Sequence, residues 1–425
     1  MTMIYALILF AVTYVLMLTF TKYRPYIALG SAVVFIATGM LPFDQIFGAI
    51  DWNVLLMIAG TMGLVQLFID SRMPARLADM IMLKVPNVQM AAVALALFAG
   101  IISAFVDNVA TVLMVAPVAL AICKKLKTNP VQFIIGIAVS SNLQGAATLV
   151  GDTTAIMLGS YADMSFLDFF WYKGRPGIFF AVELGAIASA LILAWLFRRE
   201  KDSIEQRGEL TPVTDYVPTV LLVGMIALLI SASFIPVKPD ITNGLICVSL
   251  FVIGMVYTFA RTRSADAFLG PIKSIDFETI GLLFGLFLVI GGITNMGVVD
   301  AAAGLLAQMG GGNVFAIYTA IVWASVLFSA FIDNIPYVAT MLPVVTSLAA
   351  GMGIDPTVLY FGLLSGATLG GNCTPIGASA NITGIGILRR DGHDVKTSDF
   401  CRIGIPFTLS AVIPAYIYLW LMYGV

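Results

Sequence analysis

Twelve apolar stretches divide this chain, and two of them share an unusual construction. Residues 90–123 and 313–349 are each about 35 residues long. Near the middle of each lies an Asp-Asn pair, Asp107-Asn108 in SAFVDNVATVLMVAPV and Asp333-Asn334 in SAFIDNIPYVATMLPVV, and a proline follows, Pro117 and Pro343. Apolar runs of membrane length commit the backbone to helix, because in oil every N–H and C=O must find its partner inside the chain. A polar turn within such a run is tolerated only where protein or a water-filled cavity covers it. The pattern points to two re-entrant hairpins with their polar tips at mid-depth.

The other ten stretches fall near 4–21, 26–43, 53–69, 131–161, 178–197, 217–236, 241–260, 278–295, 357–388 and 404–424. A crossing needs about 17–25 mostly apolar residues. Composition agrees, with 60% hydrophobic and 11% charged residues. The expected fold class is an all-α polytopic membrane protein of about ten spans and two hairpins. The first run has no basic segment before it and no small-residue cleavage site after it, so it is expected to be a mature span. No basic tract suits a nucleic acid. Cys123, Cys247, Cys373 and Cys401 form no CxxC and are expected to be reduced thiols. The single histidine, His393, lies in the charged loop LRRDGHDVKTSD. No metal site, cofactor or nucleophilic triad is expected, and no motif supports an enzyme.

Charge sets the orientation. With the N-terminus outside and both hairpins re-entrant, 19 of the 22 Lys and Arg fall in inner loops, and only Lys173, Arg175 and Lys238 remain outside. Cytoplasmic loops carry the Lys/Arg excess. Both termini are therefore expected on the outer side of an inner (cell) membrane. A single crossing by either hairpin would reverse every later loop.

The two Asp-Asn pairs are 226 residues apart, and Pro117/Pro343, Gly145/Gly371, Thr148/Thr374 and Gly151/Gly377 keep the same offset. Asp51 and Asp276, both read as interfacial caps, match at one residue less. The chain is expected to contain two homologous halves, 1–200 and 211–425, joined by a cytoplasmic linker at 201–210. Each half holds five spans and one hairpin. Five is odd, so the second half starts on the opposite side and the repeats are inverted. The first hairpin enters from the cytoplasm and the second from outside. Transporters built this way bind cargo near the midplane, where interrupted helices meet.

Polar interruptions mark where that site should lie. One is the hairpin tip, with Asp107, Asn108 and Thr111, and with Asp333, Asn334 and Tyr337. The other breaks the long spans 131–161 and 357–388. TLVGDTTA there supplies Thr148, Asp152 and Thr153, and TPIGASAN supplies Thr374, Ser379 and Asn381. Glycine and proline unwind the helix at these points, freeing carbonyls and hydroxyls as ligands. Asp107, Asp152 and Asp333 are expected to couple transport to protons or cations, since an ionisable group at mid-membrane marks function. No Lys or Arg falls in the predicted span interiors to pair with them. Asp152 has Ala378 as its mate, so the halves are not equivalent. Capping of half-helices alone is the plain alternative.

SAFVDNVATVLMVAPV, SNLQGAATLVGDTTA, SAFIDNIPYVATMLPV and GGNCTPIGASAN resemble the signatures of the ion transporter superfamily. They are most similar to its branch of ArsB-type arsenite pumps, NhaD-type sodium/proton antiporters and P-protein-like permeases. The resemblance covers nearly the whole chain. It implies scaffold and transport domains in each half and elevator-like alternating access. It also implies a small inorganic cargo, with room for a homodimer and for a soluble ATPase partner. Dicarboxylate carriers of the superfamily have Ser-Asn-Thr at the tips, where this chain has aspartate. The expected function is proton-coupled efflux of arsenite, with antimonite as a second cargo. Asn108, Thr111, Thr148, Thr153, Asn334, Tyr337, Thr374, Ser379 and Asn381 are the expected cargo ligands. A sodium/proton antiporter is the first alternative and an organic-anion symporter the second. Single-channel currents would be needed to revive a channel.

Overall fold

Helix formation follows from the apolar runs, and helix ends follow from local capping. The computed structural model describes residues 2–126, 128–199 and 210–424. The expected linker at 201–210 lies outside the described residues except for Leu210. Among the described residues, six helices are long and apolar enough to cross a membrane: Trp52–Asp70, Ile178–Leu196, Thr242–Thr262, Phe277–Asn295, Asn334–Met352 and Thr397–Tyr423. Two further pairs qualify only as bent units, Met3–Thr19 with Thr21–Ala37 and Val298–Met309 with Val314–Ser329, bent by 117° and 116°. The chain is a polytopic, almost wholly helical membrane protein. Among the described residues, the exception to the all-α expectation is a ribbon, Trp171–Tyr172 paired with Arg175–Pro176. Lys173 and Gly174, at φ +50° and +78°, make the tight turn such ribbons favour.

The apolar stretch 90–123 is two helices, Val88–Ser103 and Asn108–Leu126. The stretch 313–349 is Val314–Ser329 and Asn334–Met352. Each second helix begins at the Asn of the Asp-Asn pair. The aspartate supplies the cap: Asp107 accepts from the amides of Val109 and Ala110 at 3.0 and 3.2 Å, and Asp333 from Ile335 at 3.2 Å. The capping alternative is thus real chemistry at both tips.

The long stretches 131–161 and 357–388 are also divided. Val131–Gln144 is separated from Thr153–Tyr161, and Thr357–Gly370 from Ser379–Arg390. The first arm of each forms the centre of the molecule, where every residue of Phe133–Gln144 and of Thr357–Gly370 is buried. Each break is fastened to a hairpin tip. The Thr148 hydroxyl donates to the Ala104 carbonyl, and the Thr374 hydroxyl to the Ala330 carbonyl. These bonds keep the 226-residue offset at both ends.

Packing exchanges partners between the two parts of the chain. Helix 52–70 lies against 242–262, helix 277–295 against 24–37, and helix 178–196 against 397–423. Glycines permit the close approaches, as expected for helices that associate in lipid. A Cβ on Gly60 would lie 2.5 Å from the Cys247 backbone, and one on Gly285 2.7 Å from the Ala28 backbone.

Candidate functional site

A cavity of about 480 Å³ gathers the hairpin tips and the second arms of the breaks. Asp107, Asn108, Asp152, Thr153, Asp333, Asn334 and Ser379 line it, as do Asp276 and Thr279. Seven of the twelve residues that sequence reasoning singled out therefore share one space. Such a volume is typical of small-molecule sites, which span about 300–1,000 Å³.

Each carboxylate has a distinct shell. Asp107 Oδ2 takes both amides of its own helix. Asp152 takes the Thr153 amide at 2.8 Å on Oδ1 and the Thr154 hydroxyl at 2.7 Å on Oδ2. Asp276 takes the Thr279 amide at 3.0 Å and its hydroxyl at 2.6 Å. Asp333 Oδ2 takes the Ser379 hydroxyl at 3.2 Å and also the Arg24 guanidinium at 3.4 Å. The expectation that no Lys or Arg pairs with these aspartates is corrected here. Charge counting puts Arg24 in an inner loop, but it opens the helix Arg24–Ala37 at a sharp bend, and its long side chain reaches the second tip.

Five predicted ligands lie elsewhere. Thr111 and Thr148 are fully buried and donate to the carbonyls of Val106 and Ala104. Thr374 donates to Ala330. Asn381 is fully buried and donates to the carbonyls of Gly371 and Thr374. Tyr337 shares a 3.0 Å hydrogen bond with Ser325. These side chains hold the breaks and tips in place without lining the cavity.

A polar ladder runs from Asn108 at the cavity wall to the two breaks. Asn108 Nδ2 donates to Asn142 Oδ1 at 3.0 Å, and Asn142 Nδ2 donates to Asn372 Oδ1 at 3.1 Å and to the Thr368 carbonyl at 2.7 Å. Asn372 Nδ2 donates to the Val139 carbonyl at 3.0 Å. Asn142 and Asn372 are completely buried. Sequence reasoning passed over both, although each lies inside a quoted motif, because they are 230 residues apart and fall outside the 226-residue register. Asn142→Leu leaves amide groups of Asn108 and Asn372 without partners. It should cost about 1–3 kcal/mol for each stranded group, read as a lower thermal midpoint in detergent. Asp276 was read only as a cap; its position in the cavity is visible only in three dimensions.

A larger cavity of about 1230 Å³ lies toward the other end of the same helices. It touches the first turn of helix 52–70 and the last turn of 277–295, whereas the smaller cavity touches Gln66 and Ile69 of the former and Thr279 of the latter. These two helices therefore run in opposite directions between the cavities. Helix 153–161 presents Thr153 to the smaller cavity and Met157, Ser160 and Tyr161 to the larger. Thr153 and Met157 lie about one helical turn apart, and Tyr161 about one turn further on.

The sequence model of the family described as citrate transporter, CitMHS, matches residues 8–364 and 244–425. The chain belongs to the CitMHS family. This places it in the ion transporter superfamily and makes it a secondary transporter. Relatives of this CitMHS member include an uncharacterized transporter of Mycobacterium tuberculosis, 30% identical over 444 residues and 99% of each chain. A 46 kDa membrane protein of Mycobacterium leprae is 30% identical, covering 98% of each. The human P protein is 29% identical, covering 73% of this chain and 46% of its own length. The YdaH transporter of Alcanivorax borkumensis shares the fold at a TM-score of 0.61 and 14% identity, over 95% of this chain and 98% of that one.

Proposed function

We propose that the chain exports arsenite, and with it antimonite, in exchange for protons, using the smaller cavity as its central site. The observation that carries this reading is the lining itself: four aspartates, Asn108, Asn334 and the hydroxyls of Thr153, Thr279 and Ser379. Arsenite near neutral pH is an uncharged trihydroxide, which amide and hydroxyl groups can bind without a fixed cation. The aspartates hold the protons that exchange against it. Of the four cysteines, none lines the cavity, so a thiolate site for arsenic has no support there. Cargo ligands on this reading are Asn108, Thr153, Asn334 and Ser379, with Thr111, Thr148, Tyr337, Thr374 and Asn381 as their supports.

The halves 1–200 and 211–425 act as inverted repeats, with the first hairpin entering from the cytoplasm and the second from outside. The opposed courses of helices 52–70 and 277–295 support this. So does the recurrence of the Thr148 and Thr374 fastenings at the same offset. The smaller cavity is then the inward-facing access of an elevator-like cycle, and the larger one lies on the outer side.

Expression in an arsenite-sensitive bacterium tests the cargo. The chain should raise the tolerated arsenite concentration, and Asp107→Asn should abolish the gain. Unchanged sensitivity with a properly inserted protein would sink the arsenite reading. Citrate is the second reading, favoured by the family description. Near neutral pH citrate is a multivalent anion and would meet four carboxylates against the single guanidinium of Arg24, which is already paired with Asp333, so it would have to enter with compensating cations.

A further inference from the structure

The four carboxylates of the cavity are not equally free. Among the described residues, Asp333 alone of the four is paired with a cation. Both of its oxygens are engaged, Oδ1 by the Ile335 amide and Oδ2 by Ser379 and Arg24. Asp107, its mate at the other tip, meets only the amides of Val109 and Ala110. The asymmetry has a clear origin. Arg24 lies where the first bent pair turns, and its Nε donates to the Met17 carbonyl at 3.2 Å, which fixes the guanidinium at the end of helix Thr2–Thr19. Helix Thr242–Thr262, in the second part of the chain, begins with Thr-Asn-Gly and carries its basic residue only in the last turn, at Arg261.

The same bent pair grips the second hairpin at two more points. The Tyr14 hydroxyl donates to the Pro336 carbonyl at 2.5 Å and also bonds the Thr340 hydroxyl. Pro336 and Thr340 follow Asp333 by one and two helical turns or less. Arg24 is therefore held from both sides, by its own backbone anchor and by a hairpin fastened through Tyr14. The pair is only partly exposed, at 19% and 14% for the two side chains, so water screens it weakly.

We infer that Arg24 is a tethered counter-ion that reserves Asp333. The carboxylate then accepts a proton or a sodium ion only when the guanidinium is drawn away. Asp107 and Asp152 are left as the carboxylates free to couple. A guanidinium placed this way competes for the same oxygen that a cation would need, and it cannot diffuse out. Its role is to keep cations from crossing the cavity alone. This rests on the cavity being the transport site and not on the identity of the cargo.

The test uses the full chain in proteoliposomes carrying a pH-sensitive dye, with sodium as the probe and no arsenite or citrate present. Arg24→Gln should raise sodium-driven proton flux roughly tenfold over wild type, the factor set by removing a competitor worth about 1.4 kcal/mol. Arg24→Lys, which keeps a charge, should stay closer to wild type. The double variant Arg24→Gln/Asp333→Asn should return to the wild-type level, because the uncovered carboxylate is gone. Arg24→Met keeps the aliphatic stem and gives the same reading if Arg24→Gln does not fold. Equal flux in wild type and in the folded neutral variant overturns the inference. So does a raised flux that persists in the double variant. Arsenite export by the wild type together with no leak in Arg24→Gln overturns the inference and leaves the cargo reading intact. A leak in Arg24→Gln without arsenite export does the reverse.

Discussion

Asp107→Asn is expected to reduce proton-coupled transport to the level of protein-free liposomes while leaving a folded, correctly inserted protein. The substitution removes a charge and little else. Asparagine is as good an N-cap as aspartate, so its Oδ1 can still accept from the Val109 and Ala110 amides that Asp107 holds at 3.0 and 3.2 Å. The neighbouring ladder from Asn108 to Asn142 is untouched. A loss of transport with an unchanged thermal midpoint therefore reports the missing carboxylate and not a broken tip. Flux assays and melting curves on the same preparation separate the two. If Asp107→Asn melts several degrees lower, the tip needs the charge for its structure and the capping explanation gains.

The second large effect concerns the breaks. Gly151→Ala and Gly377→Ala should each destabilise the fold by about 3 kcal/mol, the upper end of the usual overpacking cost. A Cβ on Gly151 would lie 2.8 Å from the Gly145 and Ser103 carbonyl oxygens and 3.0 Å from that of Ala104. On Gly377 the distances are 2.6, 2.7 and 2.9 Å to the oxygens of Gly371, Ser329 and Ala330. All six obstacles are backbone, which cannot swing aside as a side chain can. The expected readout is a lost monodisperse peak in detergent or a sharply lower melting temperature. Gly351→Ala is the control: it lies in helix 334–352 with open space around it. Alanine there should stabilise by about 0.5–1 kcal/mol, the ordinary gain of alanine over glycine within a helix.

Much of this was legible in the sequence because both devices recur. The Asp-Asn tips and the Gly-Thr breaks announce themselves as polar residues in apolar runs, and the shared offset of 226 pairs them. The helix starts at Asn108, Val131 and Thr153 recur at Asn334, Thr357 and Ser379. What the sequence hid has one physical cause: contacts between residues far apart that follow no register. Arg24 reads as a loop cation until the bend brings it to Asp333, 309 positions away. Asp276 caps its helix, as expected, and the same side chain also faces the cavity. Thr148 and Thr374 looked like ligands because hydroxyls beside glycines in oil need partners. Their partners are the tip carbonyls, so the hydroxyls build the site without lining it.

The most direct measurement is transport in proteoliposomes with arsenite, sodium and citrate compared side by side, each with proton movement recorded by an internal dye. Arsenite entering inside-out vesicles with protons leaving, and the loss of both in Asp107→Asn, is the predicted result. Citrate or sodium flux of normal size with no arsenite flux, or full proton coupling retained by Asp107→Asn, would contradict the account.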